Sequence, residues 1–257
     1  MTRRYFTPDL MTQQPLVELP PDEAAHAARV MRVRVDDTIE VFDGKGNQAT
    51  ATVTSVDKRQ CICRCETPQF VDREPSDTLE LAIAIPKPDR AKEMIERLTE
   101  LGVTRIQPLV FERTQRPSTD SLIEKLERIV IEACKQSGRN HLMKISPVMK
   151  FGKWIAAQKS ANSTQLESSG QSDGLPPRWT FRWVAMPGGQ SVNEIVGESV
   201  KAGDPISVQC VIGPEGGLTD DELARCRDIG IAAIDLGKRI LRVETAACVI
   251  AARFLRD

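Results

Sequence analysis

The segment Gly213-Pro214-Glu215-Gly216-Gly217-Leu218-Thr219-Asp220-Asp221-Glu222-Leu223 carries residue types able to hold a small ligand. It follows an apolar run, Ile206 to Ile212, that reads as a buried strand, and it leads into a helix. Thr219 and Glu222 have the spacing of a capping box, so the helix starts there and runs to Gly230. Bare backbone between a strand end and a helix start is where α/β proteins bind cofactors. Glycine at 216 and 217 permits left-handed dihedrals and close approach of a ligand. A plain tight turn uses the same glycines. A triphosphate loop would place Lys-Ser or Lys-Thr after them. Leu218 and Thr219 stand there instead, and Glu215 would repel the phosphates. A second loop, Leu236 to Ala246, sets Ile240 and Leu241 among Lys238, Arg239 and Arg242 just after another strand. Apolar residues at a loop tip pack beneath it or, beside a glycine turn, sandwich a flat apolar ring such as adenine.

These loops need an α/β frame, and the chain from Leu79 onward supplies the pattern. Strands are expected at Leu79–Ile85, Val103–Val110, Phe181–Met186, Ile206–Ile212 and Ile231–Leu236. Between them, Ala91, Met94, Ile95, Leu98 and Leu101 form one face of a helix over Arg90–Leu101, stopped by Gly102. A second amphipathic helix covers Leu122–Gln136. The alternation argues for a parallel sheet flanked by helices. The last helix is apolar around more than one stripe, at Ala247, Cys248, Ile250, Ala251, Phe254 and Leu255, so it is expected to be covered on two sides, one of them by a partner subunit.

The first seventy residues look different. Short runs at Thr38–Phe42, Ala49–Val56 and Gln60–Glu66, a turn at Asp43–Asn47 and one helix over Pro21–Met31 suggest a small β-barrel. The expected division is residues 1–70 for this domain, 71–78 for a linker within the Pro- and acid-rich stretch Thr67–Thr78, and 79–257 for the α/β domain. Ala156–Arg178, rich in Ser, Gln, Gly and Pro, reads as a surface insertion without chemistry.

At 257 residues, two modest domains fit the length. Charge is nearly balanced, with 35 basic and 36 acidic residues. Balance does not exclude nucleic acid, because a local patch binds phosphate. Aromatics at 4% argue against a large stacking platform. Seven scattered cysteines suit a reducing cytosol. The N-terminus lacks a signal-peptide core, and no apolar run reaches membrane-spanning length, so a soluble cytoplasmic protein is expected. Cys61, Cys63 and Cys65 share one strand face, where burial is a better reading than a metal, so no metal is expected. His26 reads as packed or RNA-facing. Arg3, Arg4, Arg29, Arg32 and Arg34 suit a solvated face or an RNA backbone.

Gly213 to Leu223 followed by Leu236 to Ala246 resembles the signature of the SPOUT methyltransferases, within them that of the RsmE family, which methylates N3 of a uridine in small-subunit (16S) ribosomal RNA. Lys87-Pro88-Asp89-Arg90, Glu96 to Val103, Phe111-Glu112-Arg113 and Glu132 to Asn140 match as well. Arg4-Tyr5-Phe6, His26 to Arg32 and Phe42-Asp43-Gly44 are similar to the family's PUA-like RNA-binding domain. The resemblance implies a trefoil-knotted SPOUT sheet with helices on both faces, a homodimer, and S-adenosylmethionine bent into three loops. By position the cofactor residues are Met186, Ile212, Gly213, Gly217, Leu236, Gly237, Ile240 and Leu241. The RNA contacts are Arg4, Arg29, Arg32, Lys87, Arg90, Arg113, Arg139 and Asn140. The partner is small-subunit ribosomal RNA or the 30S particle, with no membrane.

Uridine N3 is a poor nucleophile until its proton leaves. A site can favour the anion with a cation or remove the proton with a base. Arg242 is the expected cation, and Glu215 or Glu244 the base. Glu244 would equally suit the dipole of the last helix. The alternatives are a SPOUT methyltransferase acting on another RNA and a non-catalytic RNA-binding assembly factor.

Overall fold

The computed structural model describes residues 3–165, 179–199 and 205–256. They fall into two compact units: Met1–Glu74 with Val130–Leu142, and Pro75–Ile129 with Met143–Asp257.

The first unit is a six-stranded mixed sheet around one core. β1 (Arg4–Phe6) pairs in parallel with β3 (Thr38–Phe42); β3, β4 (Asn47–Val56), β5 (Cys61–Cys65) and β2 (Leu16–Glu18) follow as antiparallel neighbours, and β6 (Gln69–Phe70) pairs with β4. β4 alternates, with Ala49, Ala51 and Val53 inside and Thr50, Thr52 and Thr54 outside, because successive side chains point to opposite faces. Cys61, Cys63 and Cys65 are buried in this core. α1 (Pro21–Arg29) starts on a proline and buries Ala24 and Ala27.

One polar cluster in this unit corrects the expected RNA contacts at Arg4, Arg139 and Asn140. Arg4 is buried, bonds Glu40 and Asn140, and donates to the Cys134 carbonyl at 2.7 Å. Arg139 donates to Glu74 at 2.8 Å. Asn140 donates to Gln48 at 3.0 Å and to the Val71 carbonyl at 2.9 Å. Buried charged and amide groups need such partners. These three residues tie distant segments of the unit together instead of facing solvent. Val130–Leu142 therefore belongs to the first unit, which periodicity did not reveal. The expected linker is anchored too: Asp77 is fully buried, accepts from Arg256 at 2.7 Å and from the Ile206 amide at 2.8 Å.

The second unit is a seven-stranded, wholly parallel sheet. Its strands are β7 (Thr78–Ile83), β8 (Arg105–Val110), β9 (Lys144–Ile145), β10 (Met149–Lys150), β11 (Phe181–Ser191), β12 (Ser207–Ile212) and β13 (Ala232–Asp235). The order is β10-β8-β7-β12-β11-β13, with β9 beside β8. β7 and β12 are nearly continuous buried apolar runs, as a parallel strand covered on both faces must be. The helices wholly in this unit are α2 (Pro88–Glu100), α4 (Phe151–Gln165), α5 (Val192–Ser199), α6 (Asp220–Asp228) and α7 (Val243–Phe254), while α3 (Asp120–Ser137) starts in this unit and from Val130 onward belongs to the first. α2 buries Ala91, Met94, Ile95 and Leu98 and ends before Gly102, whose φ of 85° is left-handed. The N-terminal part of the expected insertion completes α4; residues 166–178 lie outside the described residues.

α7 packs on β7 and β12 and also against α2, burying Ala247, Ile250, Ala251 and Phe254. Part of its second apolar side is thus met within the same chain, while Cys248 and Leu255 are only half-buried.

Candidate functional site

Three loops converge at one end of the parallel sheet. The first interrupts β11. Ala185 and Gln190 both lie opposite Ile234 in β13, so Met186–Gly189 is looped out between them. The sequence placed the strand end at Met186; the strand in fact resumes beyond the glycines. Gly189 makes this possible, since a Cβ there would stand 2.6 Å from the Ala233 carbonyl carbon. The second loop leaves β12 at Ile212. Here a Cβ on Gly213 would meet the Leu218 side chain at 2.4 Å, and Gly217 has a φ of 71°. The third loop follows β13, with Gly237 at a φ of 121°.

The capping box ends the second loop as expected. Glu222 accepts from the Thr219 amide at 2.9 Å, and Thr219 Oγ1 accepts from the Glu222 amide at 3.3 Å. The other Glu222 oxygen accepts from the Glu112 amide at 2.9 Å, so one buried carboxylate fixes two loops. Arg113, expected to touch RNA, donates to the Gly216 carbonyl at 3.0 Å and to the Leu218 carbonyl at 3.4 Å. Its guanidinium supports the glycine loop from the side.

Asp235 carried no signal in the sequence. It accepts from the Gly188 amide at 2.8 Å and from the Gly237 amide at 2.8 Å, tying the first loop to the third. Those amides, Gly188 first and then Gly237, hold its carboxyl below the ordinary aspartate range. A lone Asp at a strand end is common, and only the two loops it joins set this one apart.

Between the loops lies a cavity of about 480 Å³. All eight expected cofactor residues line it: Met186, Ile212, Gly213, Gly217, Leu236, Gly237, Ile240 and Leu241. So do Arg242 and Glu215. Its walls are mostly aliphatic side chains and bare glycine backbone, and its volume is within the range of small-molecule sites. Ile240 is 94% exposed at the tip of the third loop, so it is not packed beneath that loop. A Cβ on Gly217 or Gly237 would meet nothing within 4 Å, so backbone conformation, and not crowding by the protein, requires glycine at both.

The expected bases lie on either side of one arginine. Arg90 Nη1 is 3.9 Å from Glu215 Oε1, and Arg90 Nε is 3.9 Å from Glu244 Oε1. Glu215 is mostly exposed; Glu244 is buried in the first turn of α7. Glu244 Oε2 is a buried acceptor without a hydrogen-bond donor among the described residues. Such an atom costs free energy and marks a position held for another reason. Arg242 is exposed and precedes α7 as its N-cap, where its side chain makes no capping bond. Lys87 is exposed beside Arg90 at the start of α2, while Arg29 and Arg32 are exposed on the first unit. His26 is half-buried, with Nδ1 3.4 Å from Lys135 Nζ, and so reads as packed. Among the described residues no group of His, Cys, Asp or Glu is placed to hold a metal ion, and no helix is long and apolar enough to cross a membrane.

A parallel sheet with a glycine-lined cavity at its loop end defines an α/β protein of the cofactor-binding class. Residues 72–255 match the RNA methyltransferase domain family, and residues 19–65 match the RNA methyltransferase PUA domain. A ribosomal RNA small subunit methyltransferase E from Synechocystis is 30% identical over 88% of this chain and 68% of its own. The enzyme of that name from Rickettsia conorii is 28% identical over 95% of this chain and 91% of its own. The crystal structure of the Neisseria gonorrhoeae enzyme of that name, bound to S-adenosyl methionine, superposes with a TM-score of 0.79 at 28% identity, covering 98% of this chain and 96% of that one. The chain belongs to the RNA methyltransferase family, and within it to the ribosomal RNA small subunit methyltransferase E group.

Proposed function

We propose that the protein transfers the methyl group of S-adenosylmethionine to N3 of one uridine in small-subunit ribosomal RNA. The observation that carries this reading is the single cavity at which three glycine-bearing loops meet, with Arg242 in its wall. The donor set fits the cofactor: aliphatic Ile240 and Leu241 suit the faces of an adenine, and the bare backbone at Gly213, Gly217 and Gly237 suits its polar edges. When bound, it supplies an electrophilic methyl carbon. The protein's own residues do the rest. The three loops position the two reactants, which removes a large share of the entropic barrier. A carboxylate takes the proton from uracil N3: Glu215, which lines the cavity, or Glu244, which is outside the cavity lining and whose buried Oε2 has no donor among the described residues. Arg242 stabilises the negative charge left on the uracil.

RNA is held by exposed Arg29 and Arg32 on the first unit and by Lys87 and Arg90 on the second. The protein works as a homodimer in the cytoplasm, and its seven unpaired thiols suit that compartment. The dimer rests on the family resemblance alone.

Purified protein should move tritiated methyl from labelled cofactor to small subunits prepared from a strain lacking this enzyme. Nuclease digestion should then yield 3-methyluridine as the labelled nucleoside. Label in transfer RNA or in another nucleoside would replace the target, and cofactor binding without transfer would replace the enzyme by a binding protein.

Asp235→Ala should raise the Kd for S-adenosylmethionine about tenfold, read by calorimetry, because two loops lose their common anchor. The pH dependence has a definite sign. Asp235 is depressed in the folded protein, so its clamp is complete above the ordinary aspartate pKa and is lost as pH falls through the lower folded value. Wild-type affinity should therefore be flat across neutral pH and weaken only in acid. In Asp235→Ala this acid loss should be absent.

A further inference from the structure

A second cavity, of about 550 Å³, lies beside the first and shares Pro214 and Glu215 with it. It is bounded by the end of β7, the start of α2 and the segment leading into α3. Its apolar surface comes from residues such as Ile85, Pro117 and Leu122. Four cations line it, Lys87, Arg90, Arg116 and Lys125, against the single carboxylate of Glu215. Lys87, Arg116 and Lys125 make no ion pair among the described residues, and the hydroxyl residues Ser118 and Ser121 line the same cavity. A concave site with an apolar floor and unpaired cations is built for an anion with an apolar body. The cationic side chains lie on a wall that the cofactor cavity does not use.

We propose that this basic cavity receives the nucleotide to be methylated: one uridylate lifted out of single-stranded RNA. Its phosphate lies against Lys87, Arg116 and Lys125, and its base points to the shared wall at Pro214 and Glu215. The inference rests on the methyl-transfer reading above and adds the place where the target is held. Chemistry on a base atom engaged in pairing or stacking requires the nucleotide to be extruded into a pocket. The volume admits a single nucleotide and no folded RNA element. The shared wall is the one place where a base in this cavity can face the cofactor cavity. It is also where Arg90 reaches toward Glu215 and Glu244, at 3.9 Å from each. Arg116 and Lys125 become phosphate-binding residues, a role that their positions in the sequence did not suggest.

The test is RNA binding by fluorescence anisotropy, using a labelled single-stranded oligonucleotide that carries the target uridine. The double variant Arg116→Ala/Lys125→Ala should bind it about tenfold more weakly at moderate salt, about 1.4 kcal/mol. The slope of log affinity against log salt should fall by about 1.4, roughly 0.7 for each lost single-strand phosphate contact. Calorimetric affinity for S-adenosylmethionine should stay at the wild-type value, which separates the two cavities and shows that the variant is folded. Uridine 5′-monophosphate should displace the oligonucleotide from the wild type at least tenfold better than inorganic phosphate. Wild-type RNA affinity and salt slope in the double variant would overturn the inference. So would equal competition by the nucleotide and by phosphate, which would mean an anion site only. If the variant behaves as expected but the wild type transfers no methyl group to any RNA, the methyl-transfer reading fails and the nucleotide cavity stands.

Discussion

Arg242→Ala lowers kcat for methyl transfer by about 100- to 1000-fold, the usual cost of removing one preorganised group that stabilises charge in a transition state. The side chain lines the cofactor cavity and is exposed. It makes no capping bond to α7, so its loss should leave the melting temperature nearly unchanged. Affinity for S-adenosylmethionine should change little, because the aliphatic wall and glycine backbone proposed to hold the cofactor remain. Arg242→Lys should recover part of the rate: it restores a charge but not the planar fork. Single-turnover kinetics with saturating RNA measure the chemical step directly. Normal turnover in the alanine variant would remove the electrostatic role of Arg242.

Glu244→Gln is expected to lower kcat by about 100- to 10,000-fold, the range for a lost general base. The substitution keeps the shape of the side chain, while glutamine cannot accept the N3 proton. A purely structural role makes a different prediction. As a first-turn acid of α7, Glu244 would contribute about 0.3–1 kcal/mol to stability through the helix dipole and nothing to the rate. The two roles therefore separate cleanly: a small fall in melting temperature with an intact kcat would leave Glu244 as a helix residue only. Glu215→Gln, at a mostly exposed position, should have the smaller effect.

The parts of this protein that were legible in the sequence rest on short-range physics. The α2 stripe of Ala91, Met94, Ile95 and Leu98 follows from helical periodicity, and the Thr219–Glu222 cap from hydrogen bonds within one turn. The apolar runs of β7 and β12 follow from burial on both sheet faces. Those signals placed two glycine-bearing loops at strand ends; the individual cofactor residues came from the family resemblance, and all eight of them line the cavity together with residues it did not name, Asp235 among them. Tertiary structure alone decided what joins residues far apart in the chain. Arg4 meets Asn140 across 136 positions, and Glu222 reaches the Glu112 amide across 110. Asp235 binds Gly188 and Gly237 together, and Arg113 supports the Gly216 loop. α2 covers part of the side of α7 that its composition left open. Residue type and spacing describe what a segment can bury or donate within a few turns. Which distant partner receives it depends on chain topology, and a buried arginine reads the same in sequence as one waiting for a phosphate.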